Sequence, residues 1–260
     1  GSPGRAPSHR HRVDACRRPG FPTGSARAVK AGVPAVDTAG MGTRARAEIT
    51  AVSVDPQEDR CRRIVEHLQA TPDITVLEAT DDPALAAANV MVRPPDAILI
   101  DIKLPDSAAL GVCWSVHQHS PVTQVVLMAG PEDVESAYQA ITYGAAGCIQ
   151  RAQAVAQCVD AVRGATRGEY LVPPLVAAKI LHDVDAFSEA PGTPFGRKAP
   201  LTATEREVLM SLSAGETPAE IASRHEVTAR LVNLHTGYAV AKLQRHAEAA
   251  RAALGTRRSA

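Results

Sequence analysis

The chain of 260 residues is long enough for one to two domains with sizeable cores, and its 28 Lys/Arg balance 28 Asp/Glu. No apolar run approaches the roughly 20 residues of a membrane span, and the N-terminus lacks a signal-peptide apolar core. These features exclude a membrane-spanning helix and predict a cytoplasmic, helix-rich protein. The cysteines (Cys16, Cys61, Cys113, Cys148 and Cys158) are odd in number and lack metal-ligand spacing, so free, inert thiols are expected rather than a disulfide framework or a zinc site.

The zero net charge conceals an asymmetry. Residues 1–47 carry 9 Lys/Arg against 2 Asp/Glu, residues 48–170 carry 8 against 17, and residues 200–260 carry 8 against 6. The acidic middle disfavours nucleic acid, whereas the mildly basic C-terminal segment tolerates it.

Residues 1–47 are rich in Pro, Gly and Arg without hydrophobic periodicity, which predicts a disordered leader. Gly1-Ser2 reads as a cloning remnant, and Met41 as a candidate natural start. From Ile49 short apolar runs alternate with amphipathic stretches. Strands are predicted at Ile49–Val54, Ile74–Glu78, Ala97–Ile100, Gln124–Met128 and Gly147–Ile149. Helices are predicted at Glu58–Gln69, Pro83–Val92, Ala108–His119, Asp133–Tyr143 and Ala152–Arg163. Five such units over residues 48–170 imply an α/β, flavodoxin-like doubly wound domain with its functional site at the carboxyl ends of the strands. A helix over Pro174–Val184 and a Pro/Gly-rich connection complete residues 171–199.

Residues 200–260 read as an all-α helix-turn-helix. Thr202 precedes Glu205 by three residues, a capping box that opens a helix ending at Gly215. Thr217-Pro218 starts a second, short helix. Thr228 caps a third, along which Leu231, Val232, His235 and Leu243 recur at helical spacing. A further helix around His246–Leu254 offers Ala249, Ala250, Ala253 and Leu254 as a small-residue packing face.

The run from Asp96 to Pro105 (DAILIDIKLP) and the turn Gly144-Ala145-Ala146-Gly147 make the middle segment resemble the receiver domain of two-component response regulators. The resemblance places the phosphoacceptor position at Asp101. It implies two acids after the first strand that help to hold Mg²⁺, a hydroxyl after the fourth strand, an aromatic switch residue, and a lysine after the fifth. Here Asp55 supplies the first acid, but Pro56 stands at the second position, Ala129 at the hydroxyl, Cys148 at the aromatic residue and Arg151 at the lysine. Arg151 keeps the charge in a different donor geometry. The expectation is a receiver fold retained for interactions, with phosphorylation weak or absent. Mg²⁺ would be held weakly at best by Asp55 and Asp101, and Asp101 would pair with Arg151. No resident cofactor and no catalytic residue is expected.

Leu201-Thr202, Glu205 through Leu209, Gly215, Glu220-Ile221-Ala222, Val232, His235 and Lys242-Leu243 resemble the C-terminal domain of LuxR/NarL-type transcriptional regulators. The resemblance implies major-groove insertion of the third helix. Its base-facing positions fall at Asn233, Leu234 and Gly237, and Arg230, His235 and Lys242 are further candidate DNA contacts. Glu226 stands where the family has a turn glycine, and Leu231 where it has a phosphate-contacting threonine. In that family the last helix commonly forms the dimer contact. The predicted function is a transcriptional regulator that binds double-stranded promoter DNA as a homodimer, with a small-molecule or protein effector at an atypical receiver. The alternative is a pseudo-receiver interaction module that recruits or sequesters another regulator without binding DNA. His117 and His119 are expected to be surface histidines, Trp114 to pack on the third receiver helix or to mark a partner surface, and His235 to pack or to contact phosphate.

Overall fold

The computed structural model describes residues 48–189 and 201–256, with side chains described to residues 184 and 252. The leader predicted over residues 1–47, and most of the Pro/Gly-rich connection, lie outside the described residues. Five parallel strands, β1 (Ile49–Val54), β2 (Ile74–Thr80), β3 (Ala97–Asp101), β4 (Gln124–Ala129) and β5 (Gly147–Gln150), form one sheet in the order β2-β1-β3-β4-β5. The apolar runs of the central strands β3 and β4 are continuous rather than alternating because both faces are covered, as a parallel sheet requires.

Helices α1 (Glu58–Gln69) and α5 (Ala154–Ala165) cover one face. Ile64, Leu68, Cys158 and Val162 pack there on Ala51, Leu99, Val126, Met128 and Ile149. Helices α2 (Pro83–Val92), α3 (Ala108–His119) and α4 (Val134–Thr142) cover the other, where Val90, Val112, Val116 and Ile141 meet Val52, Ile98, Ile100, Val125 and Leu127. Each fully buried aliphatic side chain contributes about 1.5–3 kcal/mol. The chain leaves β1 first toward β2 and then returns across it to β3. The crevice between the carboxyl ends of β1 and β3 is therefore the topological switch point, where such sheets place their sites. Asp55 directly follows β1, and Asp101 ends β3.

Helix α6 (Pro174–Glu189) carries Val176, Ala177, Ile180 and Val184 into the same core cluster. That cluster continues into the C-terminal helices α7 (Ala203–Ser213), α8 (Pro218–Arg224) and α9 (Ala229–Thr256) through Val208, Leu209, Leu212, Ile221, Val240 and Leu243. The described residues thus belong to one compact unit.

Local sequence chemistry accounts for the helix starts. Thr202 and Glu205 exchange hydrogen bonds as a capping box, and Thr217 and Glu220 form a second one ahead of Pro218. Gly215 adopts a φ of 91° past the end of α7. Thr228 Oγ1 accepts from Leu231 N–H at the start of α9. The separate last helix expected around His246–Leu254 does not exist, because α9 runs unbroken over 28 residues. The Leu243–Ala247 stretch (LQRHA) contains neither glycine nor proline, so nothing there opposes propagation of the helix.

Candidate functional site

Two carboxylates meet at the switch point, and both are withdrawn from water: Asp55 is 1% exposed and Asp101 0%. Arg60, in the first turn of α1, reaches across them. Its Nε donates to Asp55 Oδ2 at 2.6 Å and its Nη2 to Asp55 Oδ1 at 2.6 Å. The same Nη2 also donates to Asp101 Oδ2. Asp55 Oδ1 accepts the Gln57 N–H at 2.8 Å, and Asp101 Oδ1 the Lys103 N–H at 2.7 Å. A cation in the first turn of a helix works against the helix dipole, so Arg60 depends on these partners.

Arg151, one residue past β5, approaches Asp101 from the opposite side, with Nε at 3.0 Å from Oδ2. Its Nη1 donates to Glu132 at 3.0 Å and its Nη2 to Asp133 at 2.5 Å. Lys103 Nζ lies 2.6 Å from Asp133. Burial opposes the charge on Asp133, but Lys103, the Gly130 N–H and Arg151 outweigh it and hold the carboxyl down at about 2. Burial also opposes the charge on Arg151, yet Asp133, Asp101 and Glu132 raise its pKa further. Both Asp101 oxygens are thus committed to arginine or backbone donors. Breaking one partner of such a buried pair costs about 3–5 kcal/mol, because the other charge is left uncompensated.

The other receiver positions lie where the sequence pattern puts them. Ala129 closes β4 as a buried methyl, Cys148 is buried in β5, and Pro56 is exposed. Burial pushes the Cys113 and Cys148 thiols up to about 12, and that of Cys158 up to about 11, so all three are poor thiolates. Among the described residues no group of three or more His, Cys, Asp or Glu is placed to hold a metal ion. The pocket does not fit Mg²⁺, which demands oxygen ligands in near-ideal octahedral array. A guanidinium already lies between the two carboxylates.

In the C-terminal domain, α7, α8 and α9 form a helix-turn-helix whose turn places Glu226 at a φ of 55°, the left-handed conformation for which glycine is the usual residue. Lys242 Nζ is 2.6 Å from the Glu205 carboxylate, with only 13% of the lysine side chain exposed. This candidate DNA contact is therefore engaged inside the domain. Burial opposes the charge on Glu205, but Lys242 and the Thr202 N–H more than offset it and lower its pKa. His235 stacks edge-on against Tyr238 with its Nδ1 buried and without a hydrogen-bond partner.

The face of α9 that carries the remaining candidate contacts lies against the receiver. The Asn233 carbonyl accepts the Tyr170 N–H at 3.1 Å, and Arg230 Nε lies 2.7 Å from Glu169. Gly237 packs so closely on Gly168 that a Cβ there would stand 2.3 Å from the Gly168 carbonyl oxygen. A Cβ at Gly168 would in turn meet Leu234 at 4.0 Å. Gly237, which costs the third helix about 1 kcal/mol relative to alanine, is what lets the two backbones touch.

The second half of α9 docks on α3 and α4. Gln244 Nε2 donates to the Ile141 and Ala145 carbonyls at 3.0 and 2.8 Å, and Arg251 Nη2 to the Thr142 carbonyl at 2.9 Å. The Arg251 guanidinium sits 5.0 Å from the ring centres of both Trp114 and Tyr143, and His117 pairs with Glu248. His117, expected as a plain surface histidine, is thus part of the junction, whereas His119 caps its own helix through the Ser115 carbonyl. Trp114 packs edge-on against Tyr143 while remaining 37% exposed. Sequence reasoning missed Arg60, Glu169, Tyr170 and Arg251. Only Arg60 left a signal, as a cation in an otherwise acidic first helical turn.

Residues 51–163 match the response regulator receiver domain, and residues 199–253 match the bacterial regulatory proteins of the luxR family. The DNA-binding transcriptional activator DevR/DosR of Mycobacterium tuberculosis is 27% identical over 208 residues, covering 79% of this chain and 94% of that protein. The response regulator protein VraR of Staphylococcus aureus is 26% identical over 196 residues, covering 75% and 90%. A solved structure of the RcsB response regulator of Salmonella typhimurium aligns with a TM-score of 0.46 at 14% identity, covering 75% of this chain and 93% of that one.

Proposed function

We propose, on the premise that this chain is a NarL/LuxR-type response regulator and so a transcriptional regulator rather than an enzyme, that its receiver works without aspartyl phosphorylation. The observation that carries the reading is the enclosure of the Asp101 carboxylate between Arg60 and Arg151. A carboxylate whose lone pairs are engaged by two guanidinium groups is a poor nucleophile toward a phosphoryl group. Ala129 has no hydroxyl with which to read such a group out. The pocket then acts as a permanently engaged switch.

DNA binding falls to the helix-turn-helix, with Asn233 and Leu234 meeting base edges and Arg230 meeting phosphate on double-stranded promoter DNA. A bidentate contact from Asn233 to adenine discriminates by about 1–3 kcal/mol. Because residues 168–170 cover this face of α9 in the described arrangement, DNA binding requires the receiver to move off it. The controlling input is a small-molecule or protein effector that favours the open form, and the acting species is a homodimer on a two-fold-related site. Selection of bound sequences from a random duplex library at low salt tests DNA recognition. Intact mass after treatment with a small-molecule phosphodonor and Mg²⁺ tests the switch. The expected results are an enriched palindromic site, no stable phosphate, and DNA binding nearly unchanged in Asp101→Asn. A phosphate adduct that Asp101→Asn abolishes, together with tighter DNA binding in the unmutated chain, overturns the phosphorylation-independent reading.

The second reading, an interaction module that does not bind DNA, draws on the same covered face and on the lack of charge at Asn233 and Gly237. Failure to enrich any sequence favours it.

A further inference from the structure

The structure assigns to Arg60 the place that a divalent cation takes in a receiver's acid pocket. Its guanidinium is a built-in positive charge that bridges Asp55 and Asp101 and makes the pocket independent of metal. The inference deepens the phosphorylation-independent reading and rests on it.

Geometry supports it first. Arg60 donates to both oxygens of Asp55 and to Asp101, and its Nη1 is fixed by Gln57 Oε1 at 3.0 Å. The forked, planar donor set suits two carboxylates at once, as an ammonium does not. A cation entering the pocket would have to displace Arg60 and break all of these bonds. Charge balance points the same way. Asp55 and Asp101 bring two negative charges, and Arg60 and Arg151 already supply two positive ones within hydrogen-bond reach. Added Mg²⁺ therefore meets two carboxylates already paired with guanidinium groups, with Arg60 standing between them.

Burial shows why the residue matters to the fold as well. Both aspartate side chains are at most 1% exposed and the Arg60 side chain only 14%. Without a cation between them, two carboxylates would repel each other in a poorly hydrated crevice. Arg60 supplies that cation from α1 itself, so the pocket closes as the chain folds.

The test uses the full-length protein and Mn²⁺ as the probe, read by electron paramagnetic resonance, with thermal melting in chelator and in Mg²⁺ as a second readout. The unmutated chain is expected to bind no Mn²⁺ at the pocket, and its melting temperature should not move with Mg²⁺. Arg60→Met is expected to melt lower in chelator, to recover when Mg²⁺ is added, and to gain one Mn²⁺ site that a further Asp101→Asn removes. If Arg60→Met does not fold, Arg60→Gln, which keeps a hydrogen-bonding end without the charge, reports in its place with the same expected gain. A Mn²⁺ site in the unmutated chain that Asp101→Asn abolishes overturns the inference. So does a folded Arg60 variant that melts as the unmutated chain does and gains no Mn²⁺. Metal binding without a phosphate adduct would remove this inference alone, whereas an adduct on Asp101 would remove the underlying reading as well.

Discussion

Replacing Gly237 by alanine tests the contact between the receiver and α9, because its effects inside the helix and across the contact have opposite signs. Within the helix, alanine is more favourable than glycine by about 1 kcal/mol. Across the contact, the new Cβ stands 2.3 Å from the Gly168 carbonyl oxygen, a backbone atom that no side-chain rotation removes. Overpacking of this kind costs about 1–3 kcal/mol, so the segment around Gly168 has to lift away. The equilibrium between covered and uncovered α9 then shifts by about 5- to 150-fold toward uncovered. Hydrogen exchange of the Tyr170 amide reads this directly, because its N–H is held by the Asn233 carbonyl at 3.1 Å. Its protection is expected to fall by that factor, while amides in the middle of α9, such as that of Val240, keep or increase theirs. Tyr170 protection as high in Gly237→Ala as in the unmutated chain would refute the reasoning.

Glu226→Gly should raise stability by about 1 kcal/mol, since it relieves a left-handed conformation that costs a side-chain-bearing residue about 1–2 kcal/mol and gives back part in chain entropy; a denaturant melt measures it. Arg251→Ala removes a cation stacked on two rings and a hydrogen bond to the Thr142 carbonyl. It should loosen the α9 junction by about 1–2 kcal/mol and red-shift the fluorescence of Trp114, the single tryptophan. Acid should weaken the receiver in a defined window. The Asp133 carboxyl is depressed from 3.8 to about 2 in the fold, so its contribution is complete above the higher value and lost as pH falls through the lower one. In Asp133→Asn that part of the acid-melting curve should flatten. Glu169→Ala removes the partner of Arg230 without changing any residue of α9, and is expected to tighten binding to a selected duplex, as a fluorescence anisotropy titration would show.

The order of elements and both domain types were legible in the sequence because they rest on short-range chemistry. The five apolar runs are strands since each is short and flanked by turn residues. α7 and α8 start where they do because Thr202 and Thr217 each stand three residues before a glutamate. The positions of Asp55 and Asp101 at the ends of β1 and β3 followed from the same pattern, since strand order in a parallel sheet brings those ends together. The expected Asp101–Arg151 pair likewise needed only the alignment of strand ends. The break expected within α9 was an error of analogy, as residues 243–247 hold no helix breaker and the chain's own propensity ran the other way.

What only the tertiary structure decided involves partners far apart in sequence. Arg60 and Asp101 are separated by 41 residues, His117 and Glu248 by 131. No periodicity links such pairs. Which carboxylate Arg60 reaches depends on how α1 lies across the crevice between β1 and β3. The reason for a glycine at 237 is visible only once a second backbone occupies the space its side chain would need. Sequence by itself determined what each segment is and which strand ends bring Asp55, Asp101 and Arg151 to the pocket. Packing decided that an arginine stands between the acids and that the receiver lies over the face of α9, because burial and charge compensation are settled among neighbours that the chain brings together only on folding.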